Sequence, residues 1–246
     1  MSPTEPRRTP LTILLHGESG SGKSWLADTT PGPRLILDVE GRSHFLPSQP
    51  KIEWDPVGPP PELGDWETCV VHVRNPNVLD KVYQWLASGQ HPFKSVVIDS
   101  LMEVQKRFID DIAGTDQMKT QDWGNLLRKL ESNIRSFRDM ASNPHNGLDI
   151  VVFITGTVVE ADTGLRRPLL QGQIKLTLPY FVDVVGFIYI AGSEANPMQM
   201  VRHLLVQNTG FAVAKDATGQ LGGPSIEEPN LTTIYTNLTT KNEVKK

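Results

Sequence analysis

Residues 11–28 read LTILLHGESGSGKSWLAD: an apolar run, a glycine-rich turn and a helix-compatible stretch. Gly17, Gly22, Lys23 and Ser24 occupy every fixed position of G-x-x-x-x-G-K-[ST], the phosphate-binding loop, or P-loop. Average residue usage produces that pattern by chance in roughly one per hundred chains of this length. The motif also needs a strand entering it and a helix leaving it, and both are written here. The stretch therefore predicts the first strand-to-helix turn of an α/β domain that binds a nucleoside triphosphate.

The chemistry calls for these residue types. Glycines let successive backbone N–H groups turn inward around phosphate oxygens, and the start of the following helix adds its positive end. Gly17, Glu18, Ser19, Gly20, Ser21, Gly22, Lys23, Ser24 and Trp25 are the candidate nucleotide-binding residues. Lys23 supplies a point charge to the β- and γ-phosphates, and the Ser24 hydroxyl is a ligand for Mg²⁺. ATP and Mg²⁺ are thus the expected substrate and cofactor.

Two further strands end in carboxylates. Ser95–Asp99 reads SVVID, and Asp99 is the candidate second metal residue, reaching the ion from the carboxyl edge of the sheet. Leu35–Asp38 leads into Val39-Glu40-Gly41, and Glu40 is the candidate base for the attacking water. Positions i and i+2 of an extended chain point the same way, so Asp38 is also placed to face the site.

Around this nucleus short apolar runs alternate with longer amphipathic stretches, the pattern of a mainly parallel sheet covered by helices. The strand candidates are 11–15, 35–38, 69–73, 95–99, 150–155, 184–191 and 203–207; the helix candidates are 23–28, 79–87 and 123–140. Leu126, Leu127, Leu130, Ile134 and Phe137 recur at helical spacing and read as core packing. Residues 47–66 contain six prolines and read as an irregular insertion crossing the surface. A chain of 246 residues suits one domain. The expected organisation is a flexible N-terminal segment (1–10), an ATPase domain (11–224) and a loose C-terminal tail (225–246).

Composition limits the partners. The net charge of −4 gives no long-range attraction for phosphate backbones, so a nucleic-acid site has to be a local patch. The single Cys69 excludes an internal disulfide. No apolar run approaches the roughly 20 residues that span a bilayer, so no membrane partner is expected and the cytoplasm is the expected compartment.

The pieces GESGSGKS, LDVEG, VVIDS and VVFITGT, in that order, resemble the RecA-like recombinase core. More narrowly, QDWGNLLRKL, LLQGQIKLTLPYFVDVVGFIYI and VRHLLVQNTGFAVAKD resemble the phage-type RecA-like single-strand annealing and recombination proteins. The resemblance covers residues 11 to about 216. It implies a twisted, mainly parallel sheet flanked by helices, ATP hydrolysis with Glu40 activating water, and Thr155 sensing the γ-phosphate. Recombinases more often carry Gln or Asn at the position of Thr155.

It also implies single-stranded DNA held by two loops, which fall at 112–123 and 157–173, with Arg166, Arg167 and Lys175 as the basic contacts. Lys215 falls where such proteins send a basic residue into the neighbouring subunit's site; a surface pair with Asp216 is the plainer reading. Self-association into a ring or filament, a single-strand-binding protein as partner, and a bacterial host cytoplasm follow from the same resemblance. Two other functions stay open on the sequence: a helicase accessory, loader or motor acting on a protein partner, and a nucleotide kinase.

Overall fold

A computed structural model describes residues 10–143 and 147–244. In chain order the elements are β1 (Leu11–Gly17), α1 (Lys23–Ala27), β2 (Arg34–Asp38), β3 (Lys51–Glu53), β4 (Thr68–His72), α2 (Pro76–Ala87), β5 (Ser95–Asp99), α3 (Leu101–Ala113) and α4 (Thr120–Ser142). There follow β6 (Ile150–Val159), β7 (Arg166–Leu169), α5 (Ile174–Phe181), β8 (Val184–Gly192), β9 (Met200–Leu205), β10 (Lys215–Asp216), β11 (Ser225–Glu227) and α6 (Leu231–Val244). All seven strands expected from the sequence are present.

One sheet runs in the order β11-β9-β8-β1-β6-β5-β2-β4-β3. The stretch from β8 to β3 is parallel throughout, and β9, β10 and β11 are antiparallel additions at one side. β1 is buried at every position, as is β2, because helices cover both faces and strands of a parallel sheet then need apolar residues on both sides. On one face α2, α3, α4 and α5 close a large core in which Leu130, Ile134 and Phe137 of α4 meet Phe93, Phe153 and Val151. On the other face α1 and α6 cover Ile13, Leu15, Val97 and Val152. This is the α/β, RecA-like P-loop NTPase architecture.

Two expectations about the periphery are corrected. The segment read as a loose C-terminal tail contributes β11, paired with β9, and α6, whose Leu231, Ile234 and Leu238 are buried. Leu231, Ile234 and Leu238 reach the core with Tyr235 packed against it, and Thr29 anchors the helix start by accepting from the Leu231 N–H at 2.8 Å. The proline-rich insertion is not irregular throughout: Lys51–Glu53 adds an edge strand, Trp54 is buried, and the Trp85 indole donates to the Pro56 carbonyl at 3.2 Å. The N-terminal segment 1–9 lies outside the described residues. No helix among the described residues is long and apolar enough to cross a membrane.

Candidate nucleotide site

The turn after β1 is built to leave space. Gly20 and Gly22 have φ of 78° and 95°, a region that side-chain-bearing residues avoid. Gly17 is required for a different reason, since a Cβ there would lie 2.6 Å from the Ile188 carbonyl oxygen. Lys23 folds back over the turn and donates to the carbonyls of Gly17 at 3.0 Å and Glu18 at 2.8 Å. Burial lowers its pKa while the charges of Asp99 and Glu40 oppose that drop. The Ser21 hydroxyl is buried without a hydrogen-bond partner among the described residues. A buried donor left free beside a glycine turn fits an anion bound there.

The sheet's carboxyl edge supplies the acids. Parallel register puts Asp38 of β2 beside Asp99 of β5, and Asp99 accepts a hydrogen bond from Ser24. Burial raises the Asp99 pKa to about 6; the Ser24 bond and Lys23 lower it, and Glu40 and Asp38 push it up. A buried carboxyl hemmed in by two other acids is short of positive charge. Glu40 accepts from the Ser100 hydroxyl at 2.7 Å through Oε1, and its Oε2 lies 3.9 Å from Arg42. Among the described residues no group of three or more His, Cys, Asp or Glu side chains is gathered to hold a metal. Mg²⁺ does not need one, because it completes its shell with phosphate oxygens and water.

Lys23, Ser24, Glu40, Asp99 and Ser100 line one cavity of about 830 Å³, together with Thr155, Gly156, Thr157, Leu169, Trp25, Phe45 and Arg202. The expected triad of Lys23, Ser24 and Asp99 is therefore assembled, and Glu40 joins it.

Asp38 does not. Its carboxylate accepts the backbone N–H groups of Gly41 at 2.7 Å, Arg42 at 3.1 Å and Ser43 at 2.9 Å, holding the turn after β2. Burial acts to raise its pKa, but these bonds outweigh it and hold the carboxyl below its ordinary value. The i, i+2 argument fails because β2 ends at Asp38 and the chain turns before Glu40.

Five other expected site residues meet different surroundings. Thr155 lies in β6 between β1 and β5, lining the cavity, but its hydroxyl donates to the Leu169 carbonyl at 2.8 Å. Its one proton is thus engaged by the hairpin rather than offered to a γ-phosphate. Arg166 and Arg167 are neighbours in β7 and so project to opposite faces. Arg166 lies 3.6 Å from Glu18 of the P-loop with its guanidinium 4.1 Å over the Phe211 ring, whereas Arg167 is ion-paired with Glu160. Lys175 borders the concavity on the Arg167 side. They form no single basic patch. Lys215 donates to the carbonyls of Pro179 at 2.9 Å and Val182 at 2.5 Å, at the end of α5. It is neither a free finger nor the partner of Asp216.

Sequence reasoning passed over three contributors. Ser100 holds Glu40, and its position right after Asp99 was legible. His16, the residue before the P-loop, is buried; it accepts from Thr157 Oγ1 at 2.8 Å, donates to the Val213 carbonyl at 2.7 Å, and is kept neutral by a pKa lowered to about 4, chiefly by burial. Arg202 of β9 reaches over Gly22, and nothing in its local sequence marks it.

The sequence pattern of the AAA domain family matches residues 9–218. Among solved structures, the chain is similar to a KaiC-like protein from Pyrococcus horikoshii, with 14% identity, 79% of this chain and 78% of that chain covered, and a TM-score of 0.40. It is similar to the flagellar accessory protein FlaH from Methanocaldococcus jannaschii at 11% identity, covering 91% and 88%, again with a TM-score of 0.40. No curated protein matches it by sequence.

Proposed function

Since this chain belongs to the AAA domain family, we propose that it is an Mg²⁺-dependent ATPase in which Glu40 is the base. The observation that carries this is the convergence of Lys23, Ser24, Asp99 and Glu40 on one cavity at the sheet's carboxyl edge. The P-loop N–H groups and Lys23 hold the β- and γ-phosphates, and Ser100 fixes Glu40 through Oε1. Oε2 is then the oxygen that takes the proton as water bonds to the γ-phosphorus and the bond to the β–γ bridging oxygen breaks. Mg²⁺ held by Ser24 and Asp99 would offset charge on the phosphate oxygens. Phosphate release measured with and without a chelator tests this: turnover that survives chelation, or that survives Glu40→Gln at full rate, overturns it.

What the hydrolysis drives is read from the resemblance: single-stranded DNA binding that promotes annealing or strand exchange in phage recombination. One feature supports it. The β6–β7 hairpin, where a DNA loop is expected, touches the nucleotide site through Arg166–Glu18 and Thr155–Leu169. The pairing of both hairpin arginines with glutamates favours a second reading, a loader or motor working on a protein partner. Anisotropy of a labelled oligonucleotide separates the two. ATP-dependent binding that weakens with salt supports the DNA reading, and its absence supports the partner-protein one.

A further inference from the structure

The cavity has two unlike ends. Lys23, Asp99 and Glu40 define one, and the terminal phosphate has to lie there for hydrolysis to occur. Lys23 and Ser24 open α1, and the nucleoside then continues past them, where two further side chains of the same cavity stand. Trp25 is 47% exposed although Leu26 and Ala27 beside it are buried. Arg202 alternates with buried Val201 and His203 along β9, and it shares a face with Leu204, which packs in the same cluster as Leu26. Its guanidinium sits 5.1 Å over the Trp25 ring. A Cβ added at Gly22 would come within 2.3 Å of its Nε, so the arginine lies directly against the bare backbone of the P-loop.

This placement asks for a ligand. The guanidinium makes no ion pair among the described residues, and it lies between the Gly22 backbone and the Trp25 ring. A planar cation laid on an indole at the rim of an anion cradle offers a stacking surface to a flat ring and hydrogen-bond donors to the sugar that joins the ring to the phosphates. We propose that Arg202 and Trp25 form the nucleobase platform of the site, with Arg202 as a specificity-determining residue. The proposal rests on the nucleotide-binding reading above and adds the part that recognises the nucleoside.

The test compares ligands with and without a base. Calorimetric titrations of the full chain use MgATP, MgADP and magnesium tripolyphosphate. Arg202→Ala should weaken MgATP and MgADP alike, by about tenfold, and leave tripolyphosphate within about twofold. Arg202→Lys separates stacking from charge: it keeps the cation, loses the plane and should not restore binding. Trp25→Phe should retain most of the affinity that Trp25→Ala loses.

Equal losses for ATP and tripolyphosphate would make Arg202 a phosphate contact and overturn the platform. Rescue by lysine would do the same. Unchanged ATP affinity in Arg202→Ala, with a loss in Phe45→Ala, would move the base to the opposite wall, where Phe45 is 69% exposed. A wild-type chain that binds neither ATP nor tripolyphosphate would instead remove the nucleotide reading, and this inference with it. Wild-type binding of both, with Arg202→Ala indistinguishable from it, would remove only the inference.

Discussion

The P-loop cradle and the β6–β7 hairpin both concentrate charged side chains, and they hold them in opposite ways. In the hairpin each arginine has a carboxylate, Glu18 for Arg166 and Glu160 for Arg167. In the cradle Lys23 donates to carbonyl oxygens, the buried Ser21 hydroxyl has no partner among the described residues, and Asp99 is raised by burial among other acids. Charge that is already matched holds a strand in place. Charge left unmatched over a buried floor is held for something that arrives.

The sharpest way to break this contrast is Lys23→Ala. Removing the P-loop's cation from the γ-phosphate end should lower phosphate release by roughly 1000-fold, with the circular dichroism melt unchanged. A variant that still turns over at the wild-type rate would show that the cradle is not the reacting site. Glu40→Gln comes next, with a fall of about 100-fold in turnover and MgATP affinity kept within a few-fold, since the amide keeps the Ser100 contact and loses basicity.

Asp38→Asn should go the other way, sparing turnover in the folded protein but destabilising it by about 2 kcal/mol, because three backbone N–H groups lose a charged acceptor. Its folded pKa is depressed, so the stability it contributes is complete above the ordinary carboxylate pKa and disappears as pH falls through the lower folded value. Urea melts at descending pH check this: wild type should lose its advantage over Asp38→Asn in acid. If Asp38→Asn instead abolishes turnover at full stability, the two carboxylates have been assigned the wrong way round.

The smallest effects belong to the hairpin. Arg166→Ala leaves Glu18 unneutralised beside the phosphate site and should weaken MgATP by about two- to threefold at low salt, less at high salt, since the pair is exposed. Adding Glu18→Ala should restore the affinity. Arg167→Ala, on the other face of β7, should leave it unmoved. Equal losses in the two arginine variants would mean that the hairpin acts as one basic surface after all.

The seven strands, the long α4 stripe and the P-loop were legible because each is a local pattern, set by periodicity or by fixed spacing within a few residues. Asp99 was legible for a related reason: in a parallel sheet, residues that end their strands share one edge, and Glu40 follows the end of the neighbouring strand by two residues. The docked C-terminal helix was not read, although Leu231, Ile234, Tyr235 and Leu238 recur at i, i+3, i+4 and i+7, because the threonines and asparagines between them are poor helix formers and mask the stripe. Asp38 misled through a rule that holds within a strand and lapses where the strand stops.

The sequence by itself determined the P-loop turn that carries Lys23 and Ser24, the strand that ends at Asp99, and the α/β layering. All of these follow from bonding needs within short segments. Only the tertiary structure decided which charges are free. Arg166 meets Glu18, Lys215 meets the end of α5, and Arg202 comes to rest on Trp25 and Gly22, each pairing across a long stretch of chain. Ion pairs and stacking act over a few ångströms and are indifferent to sequence separation, so a basic residue read alone has no partner until the sheet order brings one beside it.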